Sequence, residues 1–309
     1  MPEVWLPYGD KEVSLKLKRE QIDDHISVKL PEPYREDFSI KYYLTDGSST
    51  SEKIAKEMFP EAKPLLSFND DKEEVVDGYL FRYSEALKDT LLVCAVRLDP
   101  LYWFTGPHSL IAKIYGLDDE VIKRKEKIMS CEEDGGVWFA KRLVEVSSPK
   151  AFCYFGRSGV SLSGDAVKVY ERLKSFFSSN AQRHKKKGFV IASVGGEPYD
   201  DSLSEALYSS FGLLQLLDEG SDLLLLASCS KGLGDKGLRS YILKKEEESL
   251  TVKVLKALQE KSKVHMVTAL PFTYLKRLGI SGYNSLTEAF EAINKKAFII
   301  ENAQIYCKK

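Results

Sequence analysis

Apolar and polar positions alternate along Val13-Ser14-Leu15-Lys16-Leu17, the period-2 pattern of a half-buried strand, and a turn at Tyr8-Gly9-Asp10 separates it from Val4-Trp5-Leu6. Ile40-Lys41-Tyr42-Tyr43-Leu44 reads as another strand, ended by Asp46-Gly47. Ser49-x-x-Glu52 has capping-box spacing and predicts a short helix with Ile54 and Met58 inward, stopped by Pro60. Residues 91–96 form a continuous apolar run of strand length, as in a strand covered on both faces. Residues 151–155 predict a further strand. Asp165 then caps a helix whose apolar positions Ala166, Val169, Leu173 and Phe177 recur every three or four residues.

The second half is more regular. Residues 188–194 predict a strand, Gly195-Gly196 a turn, and Ser202-x-x-Glu205 a capped helix carrying Leu203, Ala206, Leu207, Phe211, Leu214 and Leu217. Residues 223–227 and 264–269 read as buried strands, Ser285-x-x-Glu288 opens a helix with Ala289 and Ile293 inside, and Ala297-Phe298-Ile299-Ile300 closes with a strand. This order predicts an α/β protein with mostly parallel sheets flanked by helices. The 309 residues are about twice a usual ~150-residue domain, which predicts two domains. The polar tract 178–187, ending in Arg183-His184-Lys185-Lys186-Lys187, is the predicted linker. An N-terminal α/β domain would then span 1–183 and a C-terminal one 188–296. An active-site-type cleft would lie between them, and residues 297–309 would return the last strand to the first domain.

Charge and composition narrow the partners. The chain has 45 basic and 46 acidic residues, which gives no electrostatic case for nucleic acid, and 43% hydrophobic content predicts a folded chain. No run approaches the ~18 apolar residues of a membrane helix, and no signal-peptide pattern opens the chain, so no membrane partner and a cytoplasmic location are expected. Cys94, Cys131, Cys153, Cys229 and Cys307 are odd in number and widely spaced, unlike a disulfide framework or a zinc knuckle.

Three features carry candidate chemistry. Residues 232–237 fit Gly-x-Gly-x-x-Gly through Gly232, Gly234 and Gly237, with Lys236 inside, directly after a predicted strand. Dinucleotide binding, a ligand-facing anion loop and a plain turn all fit, although the charged residues 244–248 that follow do not supply a ribose-binding acid. Tyr102-Trp103-Phe104-Thr105-Gly106-Pro107-His108 is the densest aromatic cluster, either core packing plus a turn or a cleft wall holding His108, with Lys113 beyond it. His25, His108, His184 and His265 are too scattered for a local metal motif. Asp70-Asp71 and Asp118-Asp119 read as solvated or capping pairs, and neither Gly-x-Ser-x-Gly nor His-Glu-x-x-His occurs.

Several of these pieces, in this order, resemble the nickel-pincer lactate racemase family. The best stretch is residues 190–200, whose strand, Gly195-Gly196 turn, Pro198-Tyr199-Asp200 and following helix resemble that family's pattern. The 232–237 loop, Ser285-Leu286-Thr287-Glu288-Ala289-Phe290, Leu6-Pro7-Tyr8-Gly9 and Leu162-Ser163-Gly164-Asp165 are similar to further family segments. The resemblance implies racemisation of 2-hydroxy acids between two α/β domains. There a nickel-pincer nucleotide accepts hydride, and two histidines exchange the hydroxyl proton.

The family's signature carries over only in part. Its Ser-Asp-His-Thr-Arg-Pro loop falls at Thr45-Asp46-Gly47-Ser48-Ser49-Thr50, which keeps Asp46 but places Gly47 at the histidine. The second histidine falls at Tyr102, the cofactor-bearing lysine at Ala112 beside Lys113, and the substrate-binding Gln and Lys at Glu205 and Tyr208, with Glu205 also explained by its cap. Glycine moves no proton, and a phenol does not simply replace an imidazole near neutral pH. Three functions stay open. The first is a divergent member that binds a small 2-hydroxy acid or other carboxylate through Asp46, Tyr102, His108, Lys113 and the glycine loop. If it is an enzyme, it is of the racemase or epimerase type. The second is a non-catalytic binding or subunit-interaction protein, and the third a nucleotide-using enzyme.

Overall fold

The computed structural model describes residues 3–65, 72–118, 133–181, 184–244 and 249–307. Asp70-Asp71, Asp119, Cys131, Arg183 and the charged residues 245–248 lie outside the described residues. The chain divides into two compact units, one made of Leu30–Ser179 and the other of Met1–Lys29 with Asn180–Lys309.

In chain order the elements begin with strands β1 (Glu3–Tyr8), β2 (Lys11–Lys16) and β3 (Ile22–Ile26) of the discontinuous unit. The continuous unit follows with β4 (Tyr34–Arg35), β5 (Tyr42–Thr45), helix α1 (Ser49–Met58), β6 (Lys63–Pro64), β7 (Lys72–Val76), β8 (Tyr79–Tyr83) and β9 (Thr90–Ala95). It is completed by β10 (Leu98–Asp99), β11 (Trp103–Phe104), α2 (Pro107–Ile114), α3 (Gly135–Ser147), β12 (Lys150–Tyr154), β13 (Ser161–Asp165) and α4 (Ala166–Ser179). Its six-stranded sheet has the order β4-β13-β12-β9-β5-β6, parallel from β6 to β12 and antiparallel between β12 and β13. All six residues of β9 are buried, as a strand covered on both faces requires. The cap of α1 is Ser48 rather than Ser49. Its hydroxyl accepts the Ser51 N–H, so the helix buries Ser51 and Ala55 while the expected inward Met58 is exposed.

The rest of the discontinuous unit is β14 (Lys187–Ser193), α5 (Leu203–Ser210), β15 (Leu217–Leu226), α6 (Lys236–Ile242), α7 (Leu250–Lys261), β16 (Ser262–Val267), α8 (Phe272–Arg277), β17 (Ser281–Tyr283), α9 (Leu286–Ile293) and β18 (Ala297–Ile300). Its sheet, ordered β17-β16-β15-β14-β18-β3, is parallel throughout. Val4, Leu6, Leu15 and Leu17 of the β1–β2 hairpin pack with Leu286, Ala289 and Phe290 of α9 over Ile191, Leu224 and Leu226.

Two expectations change here. The closing strand β18 does pair with β3, which precedes the linker, but it also pairs with β14, and Met1–Lys29 belongs with Asn180–Lys309 in one unit rather than with Leu30–Ser179. The apolar run Ala297–Ile300 needs cover on both sides, which a central position gives, whereas Ile22-Asp23-Asp24-His25-Ile26 has the polar content of an edge strand. The expected linker is also shorter, because Ser178 and Ser179 end α4 and Lys187 starts β14, its ammonium 2.6 Å from Asp23. Among the described residues no helix is long and apolar enough to cross a membrane.

Candidate functional site

Open parallel sheets bind ligands outside the carboxyl ends of their strands. In the continuous unit that edge carries Asp46, directly after β5. Its Oδ2 accepts the Ala95 N–H at 2.9 Å and its Oδ1 the Ser48 N–H at 3.0 Å, so one exposed carboxylate ties the ends of β5 and β9 together. A hydroxyl chain stands beside it. Ser48 Oγ lies 2.9 Å from Ser51 Oγ, which lies 2.9 Å from the Tyr154 hydroxyl at the end of β12. Burial, and then the Asp46 charge, push the Tyr154 pKa up, so the phenol stays protonated. Carboxylate lone pairs beyond those used by the two N–H groups can accept further hydrogen bonds, and the phenol and serine hydroxyls can donate or accept. Sequence reasoning found Asp46 but missed Ser48, Ser51 and Tyr154. Their signal was positional, a helix cap and the last residue of a strand.

The structure brings Tyr102, His108 and Lys113 together, but as packing. Tyr102 and His108 are fully buried, their rings 6.2 Å apart, and His108 also lies edge-on to Phe104 and Tyr170 at 4.8 Å each. His108 Nε2 sits 3.0 Å from the Tyr102 carbonyl oxygen, while its Nδ1 has no partner among the described residues. Burial lowers its pKa to about 4, which keeps the ring neutral. The Tyr102 hydroxyl donates to Asp118 Oδ1 at 2.5 Å. Lys113 is 2.6 Å from the fully buried Asp99, whose other oxygen accepts the N–H groups of Leu101 and Tyr102. Of the two readings of this aromatic cluster, these contacts are those of core packing around a turn, held at Trp103 by a left-handed φ of 67°.

In the discontinuous unit the glycine loop is used internally. The carbonyls of Gly232 and Leu233 accept the N–H groups of Leu203 and Ser204 at the start of α5. Asp235 caps α6 and accepts the Gly237 N–H at 2.7 Å. Burial opposes the charge on Asp235, but hydrogen bonds from Ser249, the Gly237 N–H and Thr251 keep its pKa low. The Gly237 N–H is thus taken by the chain's own Asp235 carboxylate, as in the plain-turn reading of this loop. A Cβ at Gly234 would fall 2.1 Å from Ser204 Oγ, and one at Gly237 2.2 Å from Ser249 Oγ, so close approach explains both glycines. Lys236 is exposed, and Glu205 and Tyr208 are half-buried one turn apart on α5, where the Glu205 N–H donates to the cap Ser202.

The Gly195-Gly196-Glu197-Pro198-Tyr199-Asp200 turn has another use. Asp200 is fully buried, and its Oδ2 accepts the N–H groups of Gly9 at 2.6 Å and Ser228 at 2.9 Å, pinning the β1–β2 turn to the end of β15. Its Oδ1 has no partner among the described residues, and burial raises its pKa. Cys229 beside it is pushed up to about 12 by burial and is no nucleophile at neutral pH.

The residues present do not fit a nickel-pincer nucleotide. Among the described residues no three His, Cys, Asp or Glu side chains are grouped to hold a metal. His25 is 2.7 Å from Glu301, His265 is 3.0 Å from Asp222, His108 is sealed among aromatic rings, His184 packs on Phe298 and Tyr306 with its Nε2 unpartnered among the described residues, and Lys113 is bound to Asp99.

The architecture is that of a two-unit α/β protein with parallel sheets flanked by helices. The sequence matches no protein-family model and no curated protein. By structure, the chain is similar to the lactate racemase apoprotein from Thermoanaerobacterium thermosaccharolyticum, with a TM-score of 0.70 and 15% identity, covering 100% of both chains. At that identity the likeness shows a lactate racemase-like fold and nothing finer. A protein from Thermotoga maritima aligns at a TM-score of 0.45 and 11% identity over 83% of this chain and 73% of its own, too distant to weigh.

Proposed function

We propose that the chain uses its lactate racemase-like scaffold to bind a small 2-hydroxy acid or other carboxylate, without a nickel-pincer cofactor and without racemising it. The full-length likeness to the lactate racemase apoprotein carries this reading. Asp46 accepts the ligand's hydroxyl, with Tyr154 and Ser51 next to it, and Arg97 and Arg157, in the connections after β9 and β12, supply positive charge at the same end of the sheet. Racemisation needs a group that takes and returns a proton near neutral pH. His108 is held neutral and buried, and Tyr154 is held protonated, so neither meets that need. This favours the binding reading over an isomerase. It leaves a subunit-interaction role as the second reading, supported by the way Tyr102, His108 and Lys113 serve the core.

The test begins with protein expressed alongside the pincer-biosynthesis enzymes. Metal analysis and intact mass are expected to show neither nickel nor added cofactor mass. Nickel near one per chain with a modified lysine overturns the cofactor-free reading. Calorimetry with lactate, glycolate and propionate follows. Saturable binding in which Asp46→Ala weakens lactate more than propionate supports the hydroxyl-accepting role, and no binding of any short carboxylate moves the function to the second reading.

A further inference from the structure

Three neighbouring strands of the discontinuous unit carry a polar trio that the carboxylate-binding reading does not use. Register pairs Leu224 of β15 with His265 of β16, and Val267 of β16 with Tyr283 of β17. Side chains two apart share a face, so Asp222, His265 and Tyr283 lie in a diagonal row on one side of the sheet. His265 Nε2 is 3.0 Å from Asp222 Oδ1, and the Tyr283 hydroxyl is 3.4 Å from His265 Nδ1. Lys295 holds the other Asp222 oxygen at 2.6 Å. Asp222 and His265 are buried, and Tyr283 at the edge strand is half-buried.

The order of these contacts has a chemical consequence. An ionised Asp222 can only accept, so the hydrogen on the imidazole sits on Nε2 and Nδ1 presents its lone pair to the phenol. Hydroxyl, base and orienting carboxylate in one line is the arrangement that activates an otherwise weak oxygen nucleophile. A hydroxyl-to-base distance slightly beyond hydrogen-bond length is usual without a bound substrate.

We propose that Tyr283 is an acyl-accepting nucleophile, with His265 as its general base and Asp222 as a positioning residue, reacting with activated carboxylic esters. The phenol oxygen forms a C–O bond to the ester carbonyl carbon, and its proton passes to His265 Nδ1. The bond from that carbon to the leaving oxygen breaks, and the leaving phenolate takes the proton from the imidazolium. The product is an O-acyl tyrosine and a free phenol, with no oxidant or reductant involved.

The whole chain is treated with p-nitrophenyl acetate, quenched in acid over a time course, and peptide-mapped. Tyr274, 42% exposed, is the internal reference for unassisted phenol reactivity. Acetylation of Tyr283 at least ~100-fold faster than that of Tyr274 is expected, the usual size of general-base assistance. In His265→Ala the Tyr283 rate is expected to fall to the Tyr274 rate, and free imidazole is expected to raise it relative to Tyr274 in the same sample. Acylimidazole formed in solution acetylates both phenols, whereas base rescue at the vacated site favours Tyr283 alone. Asp222→Asn slows Tyr283 and Asp222→Glu restores part of the rate. Tyr283 reacting no faster than Tyr274 in the wild-type chain overturns the proposal without relying on any variant. So does a Tyr283 rate unchanged in His265→Ala.

Discussion

Acid is expected to weaken the continuous unit through one imidazole, His108. The ring is fully buried between Phe104, Tyr170 and Tyr102, and burial lowers its pKa to about 4 from the ~6.5 of an exposed histidine. Between those values the unfolded chain binds a proton that the folded chain refuses. Stability from this group is therefore fully present above pH ~6.5 and is lost as pH falls towards about 4. At ~1.4 kcal/mol per pH unit, the separation of those two values is worth ~3.5 kcal/mol. His108→Phe removes the titration at little structural cost, because the Tyr102 carbonyl still accepts the Phe104 N–H at 2.8 Å and Nδ1 leaves no partner behind. At pH 7 the variant is expected within ~1 kcal/mol of wild type, the range of a volume-tolerant core exchange. At pH 4.5 it is expected to be the more stable by ~2 kcal/mol, since most of the linkage term has then been lost from wild type. Urea unfolding read by fluorescence in a Trp5→Phe background reports this unit, since Trp103 and Trp138 both lie within it. A wild-type-minus-variant difference that does not change between pH 7 and pH 4.5 refutes the reasoning and reopens His108 as a proton carrier.

Two further outcomes are expected. Lys113→Met leaves the fully buried Asp99 without its cation and should cost ~3 kcal/mol, most of it recovered in the Asp99→Asn/Lys113→Met double variant. Asp99 is destabilised by burial, yet the Lys113 charge and hydrogen bond hold its pKa below normal. Its contribution is therefore present above pH ~3.9 and lost as pH falls through the lower folded value, and urea midpoints of wild type and Lys113→Met should converge there. Gly232→Ala meets only the ~1–2 kcal/mol of a left-handed backbone, with open space around the added methyl, whereas Gly234→Ala also strikes Ser202 and Ser204 and should cost ~1–3 kcal/mol more by thermal melting.

Residues whose role is local were readable in advance. The buried run that became β9, the caps Asp165, Ser202 and Ser285, and the parallel α/β class follow from side-chain period and hydrogen-bonding capacity within a few residues. Ile22–Ile26 was not readable as a strand of this sheet, because its partner lies at the far end of the chain and its polar sequence carries no strand pattern. Within the candidate site Asp46 stood out as a turn residue, but the Ser51–Tyr154 contact joins positions about a hundred residues apart, and no spacing rule reaches that far. His108 and Lys113 were misleading for the opposite reason. Their chemistry is conspicuous in a sequence, while the burial that fixes it is visible only in three dimensions.

The placement of β3 beside β18 also sets an order of events during synthesis. Leu30–Ser179 is an uninterrupted segment and has every strand of its own sheet once Asp165 has been made. The other sheet cannot be completed until Ala297–Ile300 leaves the ribosome, and until then the edge residues Ile22–Ile26 wait without a neighbour. The sheet carrying Tyr283 is thus the last to have all its strands, and truncation between residues 180 and 296 removes β18 from it while leaving every strand of the inserted unit's sheet in the chain.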